Sequence, residues 1–325
     1  MNPTVRIMMA TYNGEKYLSQ QLDSIISQTY KNWSLIIQDD GSKDNTWSIL
    51  EKYASQESRV AIRKSQEEKH GAYYNFHSIA NQEKQSGIKY DYYMFCDQDD
   101  VWDEDKIEQL LASMDNRSDI PLFSYADMRV IDENGSEQMS SLCAAQGLSF
   151  INNESLFFSH IVYGCNTIMN RAAFMAVPII DTTQEWVGIL SHDNLYAKFS
   201  GLLGKVNYIP KTTMGYRRHG ANVTSKHTYG FGMKRIVRRV LSIQDLAKDH
   251  ARTYNQSLIA LRFLKELKTC RNNDIDDITK VIKKGGFFSY WWIRKKGISW
   301  GNRIKDISHK TIILVGLYKE YLMDV

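Results

Sequence analysis

The feature that most constrains this chain is an alternation between two periodicities in its first hundred residues. Short apolar runs at 4–10 (TVRIMMA), 33–38 (WSLIIQ), 60–65 (VAIRKS) and 90–96 (YDYYMFC) have the composition of buried strands. Helical patterns lie between them. Leu18, Leu22, Ile25 and Ile26 line one helical face, and 45–56 and 72–84 read as helices too. Strand–helix–strand order predicts an α/β fold with a mostly parallel central sheet covered by helices. Three of the four runs end in polar clusters: TYNGE after the first, DDGS after the second and DQDD after the fourth. Open α/β sheets bind ligands beyond the carboxyl ends of their strands, so the three clusters are expected to share one edge.

FCDQDDVW (95–102) places Asp97, Asp99 and Asp100 within four positions. Carboxylates one residue apart on a turn repel unless a cation joins them. Mg2+ or Mn2+, held by one or two carboxylates and substrate phosphates, fits that spacing. The same acids suit a helix N-terminus, with Asp100 or Asp103 capping a helix expected over 104–114. Asp39-Asp40-Gly41-Ser42 reads either as a turn or as a carboxylate that accepts the imide N–H of uracil or thymine. GYRRHG (215–220), expected as a loop after the strand-like KVNYIP, can clamp a diphosphate or stand as a solvated basic loop. SHDN (191–194) opens an amphipathic helix, where Asp193 is either a cap or a general base and His192 is as readily structural.

The far end of the chain differs. Residues 226–325 carry 21 Lys/Arg and 9 Asp/Glu, a net of +12, whereas 1–225 carry −8. Met233, Ile236, Val237, Val240, Leu241 and Ile243 are interspersed with basic residues, and GGFFSYWWIRKKGISWGNRIK follows. Two domains are therefore expected, 1–225 and a basic, helical 226–325. The basic segment is either a cap that packs its aromatics or an interfacial surface for anionic lipid. It carries no nucleic-acid motif, so nucleic acid is not expected as a partner; pairing as a homodimer through the aromatic tail is a further option. Cys96, Cys143, Cys165 and Cys270 show no CxxC spacing, which points to reduced thiols rather than zinc or disulfides. No leader-like N-terminus and no apolar stretch of about 18 residues is present, so a cytoplasmic location is expected.

Taken together, residues 9–46 (MATYNGEKYL through DDGSKDNT), CDQDDVW (96–102), GCN (164–166), HD (192–193) and YRRHG (216–220) resemble the inverting glycosyltransferases of GT-A family 2. The branch most resembled is that of bacterial rhamnosyltransferases of cell-surface polysaccharide synthesis, over roughly residues 4–225. The resemblance implies a Rossmann-like GT-A catalytic domain. It implies that Thr11, Tyr12, Asn13, Asp39 and Asp40 bind the nucleotide, and that Asp97 and Asp99 form the D-x-D, with Asp99 nearest the metal and His219 beside it. Asp97, Gln98, Arg217, Arg218 and His219 would face the nucleotide sugar, Asp193 would be the catalytic base, and Trp102, Cys165, Asn166 and His192 would line the acceptor or sugar pocket. It further implies Mg2+ or Mn2+ as cofactor, dTDP-rhamnose or a UDP-sugar as donor, and a lipid-linked glycan acceptor. The corresponding location is peripheral, at the inner face of the bacterial cell membrane. Relatives often carry tryptophans after HD, where this chain has Asn194, Leu195 and Tyr196. A sugar-phosphate nucleotidyltransferase would need a glycine-rich phosphate loop, and TYNGEKY has one glycine. A catalytically silent nucleotide-sugar binder is the third reading.

Overall fold

The computed structural model describes residues 2–114, 119–147, 152–220, 243–267, 272–300 and 303–324. They form two compact units: Met1–Leu142 with Val162–Arg217, and Cys143–Ile161 with Arg218–Val325.

In the first unit, β1 (Val5–Thr11), β2 (Trp33–Asp39), β3 (Val60–Lys64) and β4 (Tyr92–Cys96) run parallel in the order β3-β2-β1-β4. Helices α1 (Leu18–Ile26), α2 (Thr46–Gln56) and α3 (Ala72–Gln85) connect them. The chain continues through β5 (Val101–Trp102), α4 (Lys106–Ala112), β6 (Leu122–Ile131), β7 (Glu137–Met139), α5 (Leu142–Gln146), β8 (Thr167–Asn170), α6 (Arg171–Ala176), α7 (His192–Leu203) and β9 (Lys205–Arg217). The sheet extends past β4 as β8-β6-β9-β5, and β7 pairs with β6. β8 is antiparallel to β4 and β6, β6 and β9 are parallel, and β5 runs antiparallel to β9. The result is a mixed α/β sheet, mostly parallel at its centre.

The central strands are apolar along their length because both of their faces are covered. Val5, Ile7, Met8 and Met9 of β1 and Leu35, Ile36 and Ile37 of β2 are all buried, as are Leu18, Leu22 and Ile25 of α1. One charge pair lies inside: Arg6 Nε donates to Glu83 Oε2 at 2.7 Å and Nη2 to Oε1 at 3.0 Å, tying β1 to α3. The register sets Thr11 opposite Asp39 and Met9 opposite Cys96. β1, β2 and β4 therefore deliver their last residues to one edge, as the three polar clusters require.

Gly164–Asn166 form a 3-10 turn, and β8 starts only at Thr167. Two expectations change. Gly215, Tyr216 and Arg217 belong to β9, held there by pairing with β5 and β6, so the basic loop is shorter than the sequence suggests. The helix expected over 104–114 spans Lys106–Ala112 without a side-chain cap. Asp103 instead takes Arg129, with Nη1 donating to Oδ2 at 2.8 Å. A charge-assisted guanidinium pair is a stronger partner than a helix N–H.

The second unit is helical: α8 (Ile243–Glu266), α9 (Asn272–Lys284), α10 (Gly286–Lys295) and α11 (Arg303–Val315). Of the apolar set expected near its start, Met233, Ile236, Val237, Val240 and Leu241 lie outside the described residues. Residues 143–161 belong here and not with the catalytic domain expected to run to 225. The reason is local: Ser257 Oγ donates to the Phe157 carbonyl at 2.8 Å, Trp300 Nε1 to the Phe158 carbonyl at 2.9 Å, and Lys296 Nζ to Glu154 at 2.7 Å. In its core Tyr254 meets Tyr318 edge-to-face at 4.8 Å, and His250 Nδ1 lies 3.0 Å from the Tyr254 hydroxyl. Among the described residues no helix is long and apolar enough to cross a membrane.

Burial pushes His250 down to about 4 and His77, on α3, down to about 3. Unfolded histidine titrates near pH 6.5, so between there and the folded values the unfolded chain takes up protons that the folded chain refuses. Stability should thus fall as pH drops below about 6.5, by up to about 1.4 kcal/mol per pH unit for each histidine. Urea unfolding between pH 7 and pH 5 measures this slope, and His77→Gln and His250→Gln should each flatten it.

Candidate active site

The edge is built from loops that bond to one another. Asp39, at the end of β2, is buried and its carboxylate accepts four bonds: from Thr11 Oγ1 at 3.1 Å, Ser42 Oγ at 2.5 Å, and the Gly41 and Ser42 N–H groups at 3.1 and 2.9 Å. Those donors match its four lone-pair positions, so Asp39 shapes the loop. Asp40 is buried too, with Oδ2 accepting from Gly71 N at 2.7 Å and Oδ1 lying 2.9 Å from His70 Nδ1. Asn13 sits in the left-handed region at φ 47°, its Oδ1 accepting from Lys43 N at 2.8 Å. Tyr12 leaves its ring 52% exposed above these loops.

Gln98 joins this loop to the acidic one. Its Nε2 donates to the Tyr12 carbonyl at 2.9 Å and its Oε1 accepts from the Tyr12 N–H at 2.9 Å, so the amide completes the Tyr12 backbone as a neighbouring strand would. A Cβ on Gly14 would stand 2.3 Å from Gln98 Oε1, so a side chain there would shift the Gln98 amide away from the Tyr12 backbone.

In the acidic loop, Asp97 and Asp99 are half-buried and Asp100 is fully buried. Asp97 is pushed up to about 7 by its burial, with the negative charges of Asp99 and Asp193 adding to the effect. Asp100 Oδ1 accepts from the Arg217 N–H at 2.9 Å, and no hydrogen-bond partner reaches Oδ2 among the described residues. The Cys165 thiol completes the group: Asp97, Asp100 and Cys165 offer ligand atoms within 4.8 Å of one another. Burial, then Asp100 and Asp97, hold that thiol well above its usual range, so it remains an S–H. A hard divalent cation prefers the carboxylate oxygens over a protonated thiol, and the repulsion raising Asp97 is what such a cation relieves. The residues present therefore fit Mg2+ or Mn2+. Beneath them Lys106 is fully buried, donating to the Cys165 carbonyl at 2.6 Å, and burial lowers it to about 8.

Asp193 opens α7. Its Oδ2 accepts from Gly164 N at 2.8 Å, and its Oδ1 from Asn194 N at 2.7 Å, Asn194 Nδ2 at 2.9 Å and the Ser191 hydroxyl. Gly164 is required: a Cβ would lie 2.6 Å from His192 Nε2 and 3.2 Å from Asp193 Cβ. Lys198, one turn further on and buried, is lowered to about 8 by burial while Asp193 opposes that shift.

The structure brings Thr11, Tyr12, Asn13, Asp39, Asp40, Asp97, Gln98, Asp99, Cys165 and Asp193 toward this edge, and it gives other expected residues framework positions. Arg217 is fully buried; Nε donates to the Asp99 carbonyl at 2.8 Å, Nη1 to the Asp132 and Glu133 carbonyls, and Nη2 to Gln20 Oε1 at 2.7 Å. Trp102 is buried under Lys106, whose Nζ lies 4.1 Å from the ring centroid. Asn166 bridges strands, donating to the Asp127 carbonyl and accepting from Thr213 Oγ1, both at 2.7 Å. His192 is stacked on Phe76 at 3.9 Å and meets Phe95 edge-on at 4.5 Å. Arg218 and His219 begin the second unit, both half-buried. His70, Lys106 and Lys198 were not signalled by any motif.

The model of glycosyl transferase family 2 matches residues 6–177, and the chain belongs to that family. It is 32% identical to the dTDP-rhamnosyl transferase RfbG of Shigella flexneri over 233 residues, 68% of this chain and 76% of that one. It is 27% identical to the UDP-Glc:alpha-D-GlcNAc-diphosphoundecaprenol beta-1,3-glucosyltransferase WfgD of Escherichia coli over 209 residues, 61% of this chain and 74% of that one. The crystal structure of S. aureus TarS 1–349 in complex with UDP-GlcNAc shares the fold at a TM-score of 0.52 and 14% identity, over 98% of this chain and 90% of that one.

Arg217→Ala should destabilise the chain by about 3 kcal/mol, since it empties a fully buried side-chain site and removes four part-buried guanidinium hydrogen bonds, and Arg217→Lys should recover only part of that. Urea unfolding measures the loss. Unchanged stability with weakened nucleotide binding would instead make Arg217 a phosphate contact.

Proposed function

We propose that this chain transfers L-rhamnose from dTDP-β-L-rhamnose, with inversion, to a hydroxyl of a lipid-linked saccharide in cell-wall or capsular polysaccharide synthesis. The observation that carries the reading is that Asp193 accepts from Gly164 N at 2.8 Å, and that the next residue, Cys165, offers its thiol within 4.8 Å of ligand atoms of Asp97 and Asp100 in the D-x-D loop. A base and a diphosphate-binding loop at one sheet edge are what a single displacement at an anomeric carbon needs. The rhamnosyl choice is supported by the relative RfbG. A UDP-hexose donor is the second reading, supported by WfgD, whose name also supports a diphosphate-lipid acceptor.

In the proposed step the acceptor oxygen attacks C1, the C1–O bond to the diphosphate breaks, and its electron pair leaves with dTDP. Asp193 takes the acceptor proton. Three donors on its Oδ1 and Gly164 N on its Oδ2 hold the carboxylate still while that proton arrives at Oδ2, unlike Asp39, whose donors fall two on each oxygen. With no protein nucleophile, one displacement turns the β-linked donor into an α-linked product. Asp97, with Asp99 or with Asp100 whose ligand atom lies within 4.8 Å of it, would hold a Mg2+ or Mn2+, which when bound supplies positive charge to the departing diphosphate. Tyr12 offers a ring face to the base, and Asp39 and Asp40 keep its loop in shape.

Two measurements test this. Asp193→Asn should lower transfer by about 10²–10⁴-fold while donor affinity, read by calorimetry, stays near that of the parent. Normal transfer would remove Asp193 from the mechanism. In a donor panel scored by nucleoside diphosphate release against a lipid-linked acceptor extract, dTDP-rhamnose should turn over best, and turnover with a UDP-hexose alone would move the assignment to the second reading.

A further inference from the structure

The aromatic residues of the second unit divide sharply between inside and outside. On α10, Ser289, Trp292 and Ile293 are buried, whereas Phe287, Phe288 and Trp291 are 75%, 42% and 51% exposed. Arg294 and Lys295 continue the exposed side. The spacing 287, 288, 291, 294, 295 traces one helical face that grades from aromatic to basic along its length. Around it the cations face the rings: Lys280 Nζ lies 5.1 Å and Lys284 Nζ 6.0 Å from the Phe288 centroid, and Lys295 Nζ 5.1 Å from that of Trp291. The C-terminal end of α11 adds to the aromatic end. A Cβ on Gly285 would stand 3.3 Å from the Ile313 carbonyl and 3.5 Å from Gly316 Cα, so the exposed Leu314 and Val315 emerge beside the start of α10.

Three large apolar side chains held out in water on a folded helix mark an interaction surface. Its charge selects the partner. From Ile278 to Lys305 the sequence holds eight Lys/Arg and no Asp or Glu. A second copy docked through the same face would oppose those cations to themselves, which works against self-association. We infer that this face docks on an anionic lipid bilayer, with Phe287, Phe288 and Trp291 entering the headgroup region and Lys280, Lys283, Lys284, Arg294 and Lys295 meeting the lipid charges. At ten residues α10 is far too short to span a bilayer and lies along its surface. The docking rests on the proposed lipid-linked acceptor for its purpose alone, and its test uses neither donor nor acceptor.

The test is flotation of the full chain with phosphatidylcholine vesicles, with and without phosphatidylglycerol. The parent should bind the phosphatidylglycerol vesicles, and rising salt should weaken that binding. The combined Phe287→Ser, Phe288→Ser and Trp291→Ser variant should lose about tenfold or more in partitioning with its melting temperature unchanged, because the replaced rings touch water. Lys280→Gln, Lys284→Gln, Arg294→Gln and Lys295→Gln together should remove the preference for anionic vesicles. No binding by the parent, or equal binding by the triple serine variant, overturns the inference. So does light scattering that shows the parent as a dimer and the triple variant as a monomer with unaltered vesicle binding, which would give the face to a second copy.

Discussion

The acidic loop after β4 keeps its shape because the last residue of β9 holds it. Arg217 gives its backbone N–H to Asp100 and its guanidinium to the carbonyls of Asp99, Asp132 and Glu133. Three carboxylates within four positions would otherwise drive the loop apart, since like charges this close repel strongly in a partly dry setting. Lys106 supplies a second positive centre from below. The loop is thus anchored at two successive residues, through the Asp99 carbonyl and the Asp100 carboxylate.

Much of the first unit was legible because its signals are local. A strand covered on both faces announces itself as an unbroken apolar run, and α1 shows its buried face in Leu18, Leu22 and Ile25. What the sequence hides is pairing between distant segments. Nothing near YRRHG reveals that Gly215 lies opposite Val101 and Arg129, which makes Arg217 a strand residue and not a loop residue. Nothing near Trp102, Asn166 or His192 separates a pocket wall from the framework behind it. Their polar atoms and rings would suit either, and only the contacts with Lys106, Asp127 and Phe76 decide. His70 and Lys198 stand in no motif, and their relation to Asp40 and Asp193 exists only in three dimensions.

The second unit teaches the same lesson for charge and ring counts. Composition described 226–325 as basic and aromatic, which suits both a packed cap and an interfacial surface. The structure divides the rings between neighbouring residues: Trp292 and Trp300 inside, Trp291 outside. A one-residue step along a helix turns a side chain by about 100°, enough to move it from core to water. The segment 143–161 joins this unit through hydrogen bonds to Phe157 and Phe158 carbonyls that no sequence pattern marks.

The amide bridge from Gln98 to Tyr12 has a consequence for how the edge moves. Because both Tyr12 backbone groups are committed to a side chain from the acidic loop, neither loop can swing without the other. The two ends of anything lying along the edge are thereby gripped by one rigid piece and not by two independent fingers. A ligand fragment that reaches only one end has no loop left to order at the other, so fragments should keep close to the affinity that their own contacts give.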